Sequence, residues 1–148
     1  MIKLDDVIEM WKKDCVIDDV NLDTTSLDTP KLHSKYLELL GIAKLQLKKQ
    51  ELSFEKLLKD KWLWYNGKMT KEEQDSRGWG YDPLSGLKVL KGDMDHFYNS
   101  DEHIQAAQAQ IEYTKTLIST LSDILESIKW RHLTIKNAIE WRRFTSGM

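Results

Sequence analysis

Lysines and aromatic rings crowd together in one stretch of this 148-residue chain, at Lys56, Lys59, Lys61, Trp62, Trp64, Tyr65 and Lys68. Ammonium groups neutralise phosphates, and flat rings stack on unpaired bases at about 1–3 kcal/mol each, a combination suited to single-stranded nucleic acid. At roughly 100° per residue Trp62 and Trp64 stand about 200° apart on a helix, so both cannot join one apolar face. Phe54, Leu57, Leu58 and Tyr65 define the apolar stripe, and Lys61 falls inside it. A lysine there either snorkels outward or marks a surface both cationic and apolar. The candidate nucleic-acid contacts are therefore Lys59, Lys61, Trp64, Tyr65 and Lys68, and Arg77, Trp79 and Tyr81 repeat the composition further on. The same residues also fit a helix end that packs its aromatics under a loop.

A second cluster, Asp93, Asp95, His96, Asp101, Glu102 and His103, has carboxylates and imidazoles of the kind that bind divalent metals. Asp101 and Glu102 are expected at a helix start in any case, where acids complement the dipole, and no metal site is expected. His33 and His132 have no ligand partner at helical spacing. No phosphate-cradling loop and no CxxC pair occurs, and Gly78-Trp79-Gly80 lacks both the third glycine and the preceding strand of a dinucleotide fingerprint. The expectation is a protein with no catalytic residues, no cofactor and no ATPase activity of its own. Cys15 is the sole cysteine, which rules out an intrachain disulfide and fits a reducing cytosol. The start has no signal core, and no run approaches the ~18 apolar residues of a membrane span, so the expected location is cytoplasmic.

The elements that must position these residues are helical. Leu4, Val7, Ile8, Trp11 and Cys15 mark one face of a short helix, with Asp5 and Asp6 at its start and Lys12 and Lys13 at its end. Residues 18–29, rich in Asp, Thr and Ser, read as a loop. Thr29-Pro30 then offers an N-cap with proline at the first helical position, and the next stop is Asn66-Gly67, with Gly41 the single weak point between. Residues 68–100 read as an irregular segment broken by glycines, save for a short helix capped by Thr70 and Glu73.

A second long helix is expected over 101–144, where Ile104, Ile111, Ile118, Leu125, His132 and Ile139 recur every seven residues. Ala107, Thr114, Leu121, Ile128, Ile135 and Arg142 fall three later, an a/d seam widened at g by Leu117, Ile124 and Ala138. Either an intrachain hairpin or self-association accounts for it; the candidate oligomerisation residues are Ile104, Ile111, Ile118, Leu121, Leu125, Ile128, Ile135 and Ile139. The fold class is all-α, with two long helices and a short N-terminal one. Residues 1–100 would form a helical binding region, and 101–148 an oligomerisation helix that builds a bundle or ring. Charge is segregated along the chain: residues 31–68 carry a net +5 between neighbours of −5 and −4. A near-neutral total of −2 thus leaves room for a local anion site.

Leu4-Asp5-Asp6-Val7, Lys12-Lys13-Asp14 and Ile17-Asp18 resemble the amino-terminal pattern of the UvsY family of T-even-type phages. Ser34-Lys35-Tyr36-Leu37 is similar to that family's next helix start, and Leu58-Lys59 with Lys61, Tyr65 and Gly67 to its basic stretch before an aromatic-glycine end. Ile128-Lys129, Arg131, Ile135-Lys136, Glu140, Arg142, Phe144 and Gly147 match its carboxyl terminus in register. Residues 69–86 lie outside the resemblance, and Lys61 stands where the family pattern has arginine. The resemblance implies a recombination mediator in the host cell cytoplasm, which binds single-stranded DNA as a homo-oligomer, hexameric or heptameric. Its implied partners are a RecA-like phage recombinase and the phage single-stranded DNA-binding protein. From the residues alone, a helical protein-protein adaptor that never touches DNA, or a small metal enzyme at Asp93–His103, stays open.

Overall fold

A computed structural model describes residues 1–147, and every regular element among them is helical. In chain order these are α1 (Leu4–Asp14), α2 (Leu22–Leu27), α3 (Thr29–Tyr65), α4 (Lys71–Arg77), a 3-10 turn at Lys91–Asp93, α5 (Met94–Ser100) and α6 (Glu102–Thr145). The all-α class read from the sequence is the class observed. No helix among the described residues is long and apolar enough to cross a membrane.

The chain divides into two compact units. One joins residues 1–46 with those from Thr114 onward, and the other is residues 47–113. The expected division at residues 100 and 101 falls inside the second unit. In the first unit, Val7, Tyr36, Leu40, Ala43, Leu117, Leu121, Ile124 and Ile128 form one buried cluster from α1, α3 and α6. Each large aliphatic side chain buried this way stabilises the fold by roughly 1.5–3 kcal/mol. Trp11 closes the cluster edge-on against the Tyr36 ring, with centroids 5.5 Å apart.

Polar groups tie α1 to the same core. The Arg131 guanidinium donates to the carbonyls of Asp14, Cys15 and Val16 at 3.4, 3.3 and 3.2 Å, answering acceptors that a helix end leaves open. Farther along α6, Arg142 donates to the Asp19 carbonyl. The Asp14 carboxylate accepts from Lys35 at 2.6 Å and from the Tyr36 hydroxyl at 2.8 Å. Burial acts to raise the Asp14 pKa, but the hydrogen bonds from Lys35 and Tyr36 and the nearby positive charges outweigh it and hold the carboxyl below its usual value.

Residues 18–29 depart from the loop expected there, because α2 occupies their second half. Leu22 is buried and anchors it, and the Thr25 hydroxyl bonds back to the Asn21 carbonyl at 2.9 Å, so a residue typical of loops is satisfied inside a helix. The break between α2 and α3 falls at Asp28. Pro30 has no N–H to donate to the Ser26 carbonyl, which interrupts the ladder without turning the chain out of helical conformation. α3 then runs through Gly41 unbroken, with the buried Tyr36, Leu40 and Ala43 on either side holding it.

α6 is as long as its heptads predicted, but its intrachain register differs. The buried positions from Thr114 on are Thr114 itself, Leu117, Leu121, Ile124, Ile128, Arg131 and Ile135, a d/g stripe. The a positions sit on its flank: Ile118 and Leu125 are half-buried, and His132 and Ile139 are exposed. Leu121, Ile128 and Ile135, together with Ile104 and Ile111, are therefore buried within the chain. Of the residues expected at an oligomer contact, Ile118 and Leu125 pack partly against the chain's own core cluster and Ile139 is exposed. The face near the C-terminus also exposes Trp130, Leu133, Trp141 and Phe144.

Because Asp14 binds its proton less tightly in the folded chain, its contribution to stability is complete above the ordinary carboxylate pKa. It is lost as pH falls through the depressed value. Asp14→Ala should lower the unfolding free energy by about 1–3 kcal/mol at pH 7. Urea titrations at a series of pH values should show the gap between variant and parent closing on acidification.

Candidate functional site

The lysine–aromatic stretch ends α3 in the second unit, and two glycine turns shape its surroundings. Gly67 sits at φ +67°, with Lys68 N–H donating to the Leu63 carbonyl at 2.8 Å and Gly67 N–H to Trp64 at 3.2 Å. This is the Schellman pattern, closing α3 where Asn66-Gly67 predicted. Thr70 then caps α4, its hydroxyl accepting from Glu73 N–H at 3.2 Å. Gly78, at φ +68°, repeats the turn, with Trp79 N–H donating to the Gln74 carbonyl at 3.0 Å. The second turn delivers the Trp79 ring to within 5.4 Å of Trp64, centroid to centroid.

Lys61 lies at the centre of what these turns assemble, only 1% exposed. Its ammonium is 4.3 Å from the Trp64 ring centroid and 4.0 Å from that of Trp79. Asp101 supplies the counter-charge at 3.0 Å, and Nδ1 of His103 lies at hydrogen-bond distance, 2.8 Å. Asp101 also caps α6, where its Oδ1 accepts from Ile104 N–H at 3.0 Å, and its Oδ2 accepts from the Tyr65 hydroxyl at 2.6 Å. Outside the cage, Arg77 lies 5.0 Å from the Trp79 ring and pairs with Asp60 at 2.5 Å.

The electrostatics follow from burial. Desolvation pulls the Lys61 ammonium below its usual pKa, with Asp101 opposing. Burial works to raise the Asp101 carboxyl, but Tyr65, the Ile104 N–H and Lys61 outweigh it and hold it below the usual value. Burial and the adjacent Asp101 together push the Tyr65 hydroxyl well up. The group is an internal ion pair roofed by indoles, and it holds the end of α3, the turn after α4 and the start of α6 together.

This placement revises the sequence reading of the five candidate contacts. Lys61, read as a phosphate contact, faces inward: a charge inside an apolar stripe is tolerated here by a buried acid and two ring faces, so in this conformation it does not meet a polyanion. Trp64 is half-buried, one ring face taken by Lys61 and its indole N–H donating to the Gly80 carbonyl at 2.7 Å. Tyr65 is half-buried, tied to Asp101 and packed against Phe97 at 5.6 Å. Lys59 and Lys68 are exposed, and Lys68 lies 4.6 Å from the ring centroid of the exposed Trp62. Trp62 and Trp64 thus split between surface and interior, as their 200° separation required.

Sequence reasoning missed the partners of Lys61. Asp101, His103 and Trp79 were read within a metal-like cluster and a glycine-rich loop. A lysine in an apolar stripe does signal a buried acid, but not which one. The cluster itself disperses: Asp95 and His96 are exposed on α5, Asp101 serves Lys61, and no group of three or more His, Cys, Asp or Glu that could hold a metal converges among the described residues. α5 replaces part of the expected irregular segment. Met94, Phe97 and Tyr98, spaced i, i+3 and i+4, bury one face, and the Tyr98 hydroxyl donates to the Leu58 carbonyl at 3.4 Å.

Fold and site define an all-helical protein with a buried Lys61–Asp101 pair at the end of α3 and the exposed Lys59 and Lys68 on either side of it in sequence. A family model for the "Recombination, repair and ssDNA binding protein UvsY" matches residues 10–148. The chain belongs to the UvsY family. Its structure is similar to crystal structures of the bacteriophage T4 recombination mediator protein UvsY. With lattice type II the TM-score is 0.82 at 24% identity over 99% of both chains. With lattice type I it is 0.79 at 25% identity, covering 95% of this chain and 98% of that one. A search of curated protein sequences returns no match.

Removing one member of a buried ion pair strands the other. Lys61→Met should cost about 3–5 kcal/mol of stability, toward the lower end because Tyr65 and the Ile104 N–H still serve Asp101. Guanidinium unfolding followed by tryptophan emission measures it, and a midpoint equal to the parent's would show that the pair contributes nothing net.

Proposed function

We propose that this protein is a recombination mediator that binds single-stranded DNA in the host cell cytoplasm and helps a RecA-like recombinase load onto strands coated by single-stranded DNA-binding protein. The observation that carries the reading is the family match over residues 10–148, whose description names recombination, repair and single-stranded DNA binding. The geometry is compatible with it. Lys59 and Lys68 offer exposed ammonium groups for phosphates, and Trp62 offers a partly open ring between them in sequence. Lys61, Trp64 and Tyr65 serve the same site from behind, by holding the helix end in place.

The role is physical and needs no cofactor. One copy of this site is weak, because two lysines and one ring give little binding energy. A hexamer or heptamer repeats it, and linked sites act together through effective concentration. A strand drawn along several copies is bent away from the protein that coats it. The exposed apolar residues of α6 supply the contact between subunits: Trp141 and Phe144, stacked 5.7 Å apart, on one side of the helix and Ile139, 39% exposed, on another. Exposed large apolar side chains gathered on one stretch of helix mark a protein contact.

Two measurements test this. The double variant Lys59→Ala, Lys68→Ala should bind oligo-dT more weakly, and its log–log salt slope should fall by roughly 0.7 for each phosphate contact removed. Its mass by light scattering should equal the parent's. Ile139→Asp with Trp141→Asp should instead reduce the mass to that of one chain and weaken binding through lost multivalency. A parent protein with no salt-sensitive affinity for oligo-dT would leave the adaptor reading in its place.

A further inference from the structure

The second unit contains a hollow of about 700 Å³ lined by Trp64, Met69, Lys71, Gln74, Tyr81 and Pro83 among others. Its volume is within the range that holds a small flat ligand. Three features describe what would fit. Tyr81 is 79% exposed and has no ring partner among the described residues, so its faces are open. Gln74 is only 4% exposed, and its Nε2 donates to the Met69 carbonyl at 3.2 Å, which sets the direction of the amide. Its Oε1 has no partner and is closed off with the rest of the amide, so Gln74 forms part of the wall of the hollow without offering it an acceptor. Lys71, exposed on the same hollow, supplies a positive charge three residues from Lys68.

We propose that this hollow takes one unstacked base of a bound single strand, stacked on Tyr81 with the adjoining phosphate at Lys71. The inference rests on the reading that the protein binds single-stranded DNA, and it adds to the partly open Trp62 a second stacking residue, Tyr81, in place of the enclosed Trp64. Trp64 is held as a wall: Lys61 covers one face at 4.3 Å, and the Gly80 carbonyl fixes the indole N–H. Each base has a flat π-face, so a slot that reads it by stacking does not depend on sequence. A phosphate next to the base distinguishes this ligand from an aromatic peptide side chain, which would leave Lys71 unmatched.

Tyr81→Ala should weaken binding to oligo-dT by at least about fivefold without changing the salt slope, because stacking releases few counterions. Tyr81→Phe should restore parental affinity. Oligo-dT containing 5-iododeoxyuridine, irradiated on the parent protein, should cross-link to Tyr81, with the adduct mapped by mass spectrometry. If Tyr81→Ala binds like the parent while Lys59→Ala, Lys68→Ala does not, or if cross-links map only outside residues 64–83, the slot is overturned and DNA binding stands. If the parent binds no strand at all, both fail together.

Discussion

A lysine side chain cannot keep its charge inside a protein unless something answers it, and Lys61 shows how much structure that need can organise. Its ammonium requires an acid, which Asp101 provides, and Asp101 in turn begins α6. It also requires polarisable faces in place of water, and Trp64 and Trp79 provide those at 4.3 and 4.0 Å. Trp79 can reach it only because Gly78 adopts a left-handed conformation that turns the chain back after α4. One buried charge therefore draws together a helix end, a turn and a helix start that are distant in sequence. Tyr65 adds a further bond to the same carboxylate at 2.6 Å, and the exposed lysines nearby keep a rigid base.

The sequence was legible where local chemistry decides the outcome. The end of α3 at Asn66-Gly67, the Thr70 cap and the length of α6 all follow from glycine, hydroxyl and apolar spacing within a few residues. It was less legible where tertiary packing decides. The heptads of α6 contain two overlapping apolar stripes, and periodicity cannot say which one the chain's own core will use. Val7, Tyr36 and Leu40 take the stripe through Leu117 and Ile124, leaving Ile139 outside. Short helices were hidden for a related reason. α2 and α5 are too brief to show a period, and each is held by one buried anchor, Leu22 or Met94, plus side-chain bonds. The candidate site was half legible: the right stretch of chain stood out, but the orientation of Lys61 depended on residues forty positions away.

The chain belongs to the UvsY family, and its fold matches that of the phage T4 protein at 24% identity, so the shape tolerates replacement of most individual residues. The segment from 69 to 86, which by its residues stood outside the resemblance, lies within the family match over residues 10–148, and it contains Trp79, which completes the cage, and Tyr81, whose ring stands open.

The way the two compact units divide the chain has a consequence for its synthesis. Residues 47–113 are consecutive, so the contacts within that unit can begin to form once they have left the ribosome. The other unit is closed by Arg131 on the carbonyls of residues 14 to 16, a loop of more than a hundred residues. Contacts so distant in sequence form slowly and late. The amino-terminal helix can meet Tyr36 early, but its apolar face is fully covered only when α6 has been made as far as Leu117–Ile128 and Arg131. The middle of the chain matures first and its two ends are joined last, so a truncated product would present an unfinished core.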